Sequence, residues 1–433
     1  MNEVLLGELL SGKGVTYGVV KPGDHKPHGI PLIKAADVGN GRVNSAPNFR
    51  ISQEKHQEHS RTELNGGELL ITLVGTPGQC AIAPLEVKGF NVVRAVGVFS
   101  TEPIADSRFI MYSIQAPQSQ VYLRNVCNTT VQATLNLGDL KGLPLSIPDI
   151  KEQKAIAYIL GTLDDKIELN RKTNETLEAM AKALFKSWFV DFDPVRAKAE
   201  GRPTGLPAEI SDLFPDSFED SELGEIPSGW QCCPFTQLVD VISGGTPKTS
   251  VDEYWNGSIP WFSVVDAPSG ADCWVIQTEK SITYQGLNNC SSKLLSTGTT
   301  IISARGTVGK VCLAGQDMAM NQSCYGLRSK AANGEYFCFY LTKSLVEILE
   351  ARAHGSVFST ITRDTLDGVS TISPPLEVIQ SFNGIAGALL GKIKNNLEDN
   401  RILGNQRDAL LPKLISGEIR IPDAEKMLEE VGI

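Results

Sequence analysis

Residues 156–188 read IAYILGTLDDKIELNRKTNETLEAMAKALFKSW, and residues 382–414 read FNGIAGALLGKIKNNLEDNRILGNQRDALLPKL. In the first stretch the apolar positions step by four and three without a break. They are Ile156, Leu160, Leu163 and Ile167, then Asn170 and Asn174, then Leu177, Ala181, Leu184 and Trp188. This is a heptad seam interrupted by two polar layers. The second stretch places Phe382, Ala386, Leu389, Ile393, Asn396, Asn400, Leu403, Arg407, Leu410 and Leu414 at the same steps, and Arg407 departs from the pattern. A buried Asn is costly unless it meets a partner, so the Asn layers carry register. In an antiparallel pair Asn170 meets Asn400 and Asn174 meets Asn396. The seams predict an intramolecular antiparallel coiled coil. The plainer alternative is two amphipathic helices, each packed on its own domain.

The chain outside the helices repeats as well. Ile30-Pro31-Leu32 with Asp37 matches Ile259-Pro260-Trp261 with Asp266. Leu70-Ile71-Thr72 leads to Gly75-Thr76-Pro77-Gly78, as Ile301-Ile302-Ser303 leads to Gly306-Thr307-Val308-Gly309. Asn128-Thr129-Thr130-Val131 corresponds to His354-Gly355-Ser356-Val357, and each half then reaches a Pro-containing junction, Ser146-Ile147-Pro148 or Ile372-Ser373-Pro374. Short β-branched runs such as 69–74, 91–99 and 299–304 alternate with Gly/Pro turns, which reads as strands. The expected fold is α+β: two β-rich domains, 1–147 and 230–373, separated by helical regions 148–200 and 374–433, with an acidic Pro/Gly linker at 201–229. A seam of about 33 residues at ~1.5 Å each would be ~50 Å long. In an antiparallel pair it would set one domain at each end, about a pseudo-two-fold axis. Successive major-groove faces on one side of DNA are ~34 Å apart, so such a spacer could hold two different reading heads over two half-sites.

Composition bounds the function. The 433 residues are 41% hydrophobic and 21% charged, an ordinary globular balance. No apolar run approaches the ~20 residues of a membrane span, and Glu3 and Glu8 stand where a signal peptide would be basic. A cytoplasmic protein is expected. Of nine cysteines only Cys232 and Cys233 are adjacent and no Cys-x-x-Cys occurs, which argues for reduced, mostly buried thiols. The net charge of −10 is unfavourable for a polyanion partner, but residues 201–229 alone hold seven acids against one Arg. The other segments are near neutral and could still present basic faces.

Catalytic motifs are missing. Gly309-Lys310 is followed by Val311 and preceded by Ala304 where a phosphate-binding loop needs its first Gly. No Asn-Pro-Pro-Tyr-like motif for amino-methylation appears; Ser373-Pro374-Pro375-Leu376 reads as a helix lead-in. Pro148-Asp149 with Asp164-Asp165-Lys166 has nuclease-like spacing but falls within the heptads, where a solvated helix face is the simpler reading. His25/His28 and His56/His59 have metal-like spacing with no completing ligands and read as surface loops. No catalytic residue, metal or cofactor site is expected.

Several segments resemble one family. Ile147-Pro148-Asp149-Ile150-Lys151-Glu152-Gln153 and Trp188-Phe189-Val190-Asp191-Phe192-Asp193-Pro194 resemble the central conserved region of type I restriction-modification specificity subunits. So does the linker from Leu213-Phe214-Pro215 to Ser228-Gly229-Trp230. Ile242-Ser243-Gly244-Gly245-Thr246-Pro247, Tyr254-Trp255 and Ile259-Pro260-Trp261 resemble the opening of a target recognition domain, and Leu411 to Ile419 resembles the C-terminal signature. The resemblance covers nearly the whole chain and is weakest at Lys13 to Pro27. It implies two target recognition domains reading a bipartite, asymmetric site in double-stranded DNA. It also implies helices that dock two adenine methyltransferase subunits, joined for cleavage by restriction subunits, and no active site in this chain. S-adenosylmethionine, ATP and Mg would then sit on those partners. A coiled-coil adaptor that never meets DNA, or a self-contained methyltransferase or nuclease, are the alternatives.

Within that reading the Gly-Thr-x-Gly loops are candidate DNA contacts, because glycine lets a phosphate or base edge approach the backbone and the Thr can donate. The candidates in the first domain are Gly75, Thr76, Gly78 and Gln79, with Thr129, Thr130 and Gln132. In the second they are Arg305, Gly306, Thr307, Gly309 and Lys310, with Thr246, Lys248, Ser356, Ser359, Thr360 and Arg363. A plain β-hairpin turn is the alternative for the glycines. Trp255 and Trp261 read as core rather than base-stacking residues.

Overall fold

The computed structural model describes residues 2–12, 14–127, 132–353 and 360–429. The chain folds as two compact units, one made of Met1–Ile167 with Ile402–Ile433 and one of Glu168–Arg401. The two heptad stretches are continuous helices, Ile150–Phe189 and Leu376–Ser416, and each contributes residues to both units.

In the second unit the Asn layers pair in the predicted register. Asn170 Nδ2 donates to Asn400 Oδ1 at 2.9 Å, and Asn396 Nδ2 donates to Asn174 Oδ1 at 2.8 Å. The two bonds run in opposite order along the two helices, so their packing here is antiparallel. Asn174 and Asn396 are enclosed, at 0% and 1% exposure; their bond satisfies Asn174 Oδ1 and Asn396 Nδ2, while Asn174 Nδ2 and Asn396 Oδ1 stay buried without a partner among the described residues. Below them lies an aromatic core of Phe185, Trp188, Phe189, Phe337, Tyr340 and Phe382. Trp188 meets Phe214 edge to face at 5.1 Å and Phe192 meets Trp230 at 5.8 Å. Both partners flank or lie within the acidic segment, which therefore has structure of its own. It carries the short helix Ala208–Ser211 and the hairpin Phe218–Ser221/Gly224–Pro227.

In the first unit Arg407 explains its departure from the seam. Its Nη1 donates to Asp164 Oδ1 at 2.7 Å, and Asp164 Oδ2 accepts the Tyr112 hydroxyl at 2.6 Å. Arg108, on the helix Ser107–Gln115, pairs with Asp165. The nuclease-like acids are thus engaged in structure, and Asp164, at 19% exposure, is not the solvated position its heptad suggests. Asp149 caps its helix by accepting from the backbone N–H groups of Lys151 and Glu152. Burial alone would favour a neutral Arg407, but Asp164 and Asp408 raise its pKa. Burial and then Asp164 push the Tyr112 phenol above its ordinary range. Gln153 is 1% exposed and bridges the globular domain to the helix: its Oε1 accepts from Asp106 N–H and its Nε2 donates to Ile104 and Pro148 carbonyls.

The globular domains share a strand plan, although the first adds the short pair Val38–Gly39/Arg42–Val43. Asn2–Leu5 pairs antiparallel with Pro144–Ile147, as Gln231–Pro234 does with Ser370–Ser373. The first domain's main sheet runs Thr16–Tyr17, Val96–Phe99, Leu69–Thr72, Cys80–Ile82. The second runs Val239–Ser243, Cys324–Ser329, Thr300–Ser303, Val311–Ala314, with Trp274–Val275 added parallel at the edge. A smaller sheet centres on Ile30–Ile33 in one domain and on Trp255–Phe262 in the other. After each central strand comes a 3-10 turn that its Asp closes. Asp37 accepts from Lys34 N–H at 2.9 Å, and Asp266 from Ser263 N–H at 2.8 Å.

Three further readings resolve here. Trp261 is buried, Trp255 half-buried, and they pack edge to face at 5.2 Å, which is a core role. His56 departs from the surface-loop expectation. It lies 7% exposed on the helix Gln53–Glu58, held there because each ring nitrogen has a partner, Nε2 at 3.3 Å from Glu63 and Nδ1 at 3.4 Å from the Asn91 amide. His354 lies outside the described residues. Cys80, Cys273, Cys312, Cys324 and Cys338 are buried, whereas Cys127, Cys232, Cys233 and Cys290 are half-buried; burial pushes the Cys273, Cys324 and Cys338 thiols up to about 12.

Candidate nucleic-acid interface

Both Gly-Thr-x-Gly segments close a β-hairpin, and they close it by the same bonds. In the first domain Gly78 and Gln79 donate their N–H groups to Thr72, at its carbonyl (2.9 Å) and its Oγ1 (3.0 Å). In the second, Gly309 and Lys310 donate to Ser303, at its carbonyl (3.0 Å) and its Oγ (2.8 Å). Thr72 and Ser303 are buried, so each hydroxyl is an internal lock on an exposed turn. Gly75, Gly78, Gly306 and Gly309 all have positive φ, between 75° and 93°, where a side chain is strained. Gly309 also lies against the helix Glu335–Ala353, where a Cβ would come within 2.2 Å of Glu350. The hairpin-turn requirement is therefore met by these glycines. The turns still leave Gly75, Thr76, Arg305, Gly306, Thr307 and Lys310 exposed to solvent.

A second loop lies beside each turn. Gly75 N–H donates to Ala133 O at 3.1 Å and Leu135 N–H to Leu73 O at 2.8 Å; in the other domain Ile361 N–H donates to Ala304 O at 2.9 Å. Val74 bridges Thr134 as Arg305 bridges Thr360. Exposed Gln132 and half-buried Thr360 thereby come next to their turns. Thr129, Thr130, Ser356 and Ser359 lie outside the described residues.

A third element was not singled out by sequence. Residues 93–96 form a tight turn, with Val96 N–H bonded to Val93 O at 2.9 Å. Residues 321–324 do the same, with Cys324 N–H bonded to Asn321 O at 3.3 Å. Each turn is joined to its Gly-Thr-x-Gly hairpin by an equivalent bond, Leu73 N–H to Ala95 O (2.8 Å) and Ala304 N–H to Ser323 O (2.7 Å), and in the second domain Arg305 N–H adds a bond to Ser323 O at 3.2 Å. The exposed side chains at the tips are Arg94 and Gln322.

The remaining candidates divide. Thr246 joins this edge, its hydroxyl donating to Gln322 Oε1. Lys248 is exposed, while its carbonyl accepts from the Trp255 indole at 3.3 Å. Arg363 is exposed and partly engaged: its Nη2 donates to Val241 O at 2.9 Å and Ser243 Oγ at 3.2 Å, fastening the helix Arg363–Asp367 to the sheet. Gln79 Oε1 accepts from Asn40 N–H at 3.4 Å. Each domain thus presents one edge of three loops, rich in glycine and in side chains that can donate to phosphates and base edges. Among the described residues no group of three or more His, Cys, Asp or Glu is placed to hold a metal ion, and no helix is long and apolar enough to cross a membrane.

Comparison with known proteins follows the repeat. A family model described as type I restriction modification DNA specificity domain matches twice, at residues 20–179 and 227–385. The type I restriction enzyme HindI specificity subunit of Haemophilus influenzae is 29% identical over 332 residues, 66% of this chain and 71% of its own. The MjaIX specificity subunit of Methanocaldococcus jannaschii is 26% identical over 404 residues, covering 91% and 88%. Among solved structures, the crystal structure of a type I restriction-modification S subunit from M. genitalium aligns over 95% of both chains with a TM-score of 0.57 at 15% identity, a likeness of fold.

Proposed function

The chain belongs to the type I restriction-modification DNA specificity family, and from this premise we propose that it chooses a bipartite, asymmetric site on double-stranded DNA, one half per globular domain. Specificity subunits are the non-catalytic members of these systems, so this chain's part is recognition. The observation that carries the reading is the duplicated edge: the same three loops, in the same hydrogen-bonded order, with different exposed side chains in the two domains. A shared scaffold with divergent loops suits the reading of two different half-sites.

Chemistry is assigned to partners. Two adenine methyltransferase subunits would bring S-adenosylmethionine, and restriction subunits ATP and Mg, to the DNA this chain selects in the cytoplasm. A face of the first long helix supports docking in the second unit. Leu169 and Met180 are 58% and 53% exposed, and between them Thr173 and Thr176 turn their hydroxyls to the carbonyls of Leu169 and Lys172. The hydroxyls are thereby satisfied within the helix, and the stripe is available to a partner's apolar helix face.

Methylome sequencing tests the reading. A host expressing this chain with its methyltransferase partner should carry adenine methylation at a two-part motif with a fixed gap, absent with the partner alone. No new methylation, with both proteins present and associated, would overturn it.

A further inference from the structure

We infer that Arg94 and Gln322 are specificity-determining residues, Arg94 reading a guanine in one half-site and Gln322 an adenine in the other; this rests on the DNA-reading function above. The two occupy one structural position. Each is the first central residue of a four-residue turn leading into a main-sheet strand. The turns enter by equivalent bonds, Val93 N–H to Ile33 O and Asn321 N–H to Phe262 O, both 2.9 Å. They leave by the bonds from Leu73 and Ala304 to the adjoining hairpin. Backbone placement is therefore fixed on both sides, while the side chains are exposed. Rigid placement with a free side chain is what base readout needs.

The side chains themselves suit direct readout. Arg presents a two-pronged donor to guanine O6 and N7, and Gln pairs a donor and an acceptor with adenine N7 and N6. The Arg94 backbone is held by its N–H bond to Val19 O at 2.9 Å, while its guanidinium makes no hydrogen bond or ion pair among the described residues, unlike those of Arg108, Arg171, Arg202 and Arg407. Gln322 is oriented: the Thr246 hydroxyl donates to its Oε1, which distinguishes the oxygen end of the amide from the nitrogen end. One lone pair of that oxygen and the amide N–H groups remain for adenine. The neighbouring glycines, Gly75 and Gly306, carry no side chain that would hold a base edge away. The cations on the two edges also differ. The second domain has Arg305 where the first has Val74, so its turn can meet phosphate while Gln322 reads.

The test is the methylated motif produced with the methyltransferase partner, for the wild-type chain and for R94A, R94K, R94Q, Q322A and Q322R. R94A should relax one base of one half-site, cutting discrimination there roughly 10- to 100-fold, and Q322A should do the same in the other half. R94Q should turn a G into an A at that base, and Q322R an A into a G. R94K is the control for a phosphate role, because it keeps the charge and loses the fork. The inference fails if R94K and R94A leave the motif unchanged. It also fails if R94A weakens all sequences alike while lowering the salt dependence of binding by about one counterion. A wild-type chain that directs no methylation would instead overturn the function on which the inference rests.

Discussion

Thr72 and Ser303 show how much one hydroxyl can decide. Each is buried, and each is the acceptor for the backbone N–H that closes a Gly-Thr-x-Gly turn. Replacing Thr72 by Val, or Ser303 by Ala, leaves the N–H of Gln79 or Lys310 without its partner. The expected cost is about 1–3 kcal/mol, measured by denaturant unfolding, and the relaxed turn should blur the half-site read by that domain alone. The glycines of these turns were legible in sequence because the motif is local. Arg94 and Gln322 were not, because their equivalence depends on a shifting offset. The repeat spacing is 229 between Leu32 and Trp261, 231 between Thr72 and Ser303, 228 between Arg94 and Gln322, and 226 between Asn170 and Asn396. Insertions in the connecting loops slide the two halves past one another, and only the strand pairing restores the correspondence. Arg363 shows what sequence leaves out: its Nη2 bonds Ser243 and the Val241 carbonyl, groups distant in sequence, while the residue stays exposed.

The elements that sequence described best are the two long helices, since a heptad seam is a periodic signal summed over many residues. The Asn layers test what that signal stores. Asn396→Leu alone strands the Asn174 amide in a closed interior and should destabilise the protein by about 1–3 kcal/mol in urea unfolding. Asn174→Leu with Asn396→Leu should regain most of that loss, because an apolar pair needs no bond there. The double variant should also tolerate a shifted register, seen as altered cross-linking between cysteines placed at 170 and 400. Equal destabilisation by the single and double changes would show that the two amides do not act as a pair. The acidic segment is the element that sequence described least well. Its charge and its Pro and Gly content read as a linker, yet Phe214 and Trp230 anchor it on Trp188 and Phe192. A few buried aromatics outweigh a polar composition, since each large ring contributes more burial than several loop residues together.

For the whole molecule, duplication predicts modularity. Exchanging residues 230–373 for the corresponding domain of another family member should change one half of the methylated motif and leave the other half intact, read by methylome sequencing. A change in both halves would show that the domains do not read independently. The sequence by itself determined that there are two similar domains, two register-coded helices and no catalytic motif, because repeats, heptads and motifs are patterns along the chain. Tertiary structure alone decided which exposed side chains share an edge, why Arg407 sits in an apolar seam and why the acidic segment is ordered. Those answers depend on hydrogen bonds and packing between residues far apart in the chain, where no local pattern records which groups will meet.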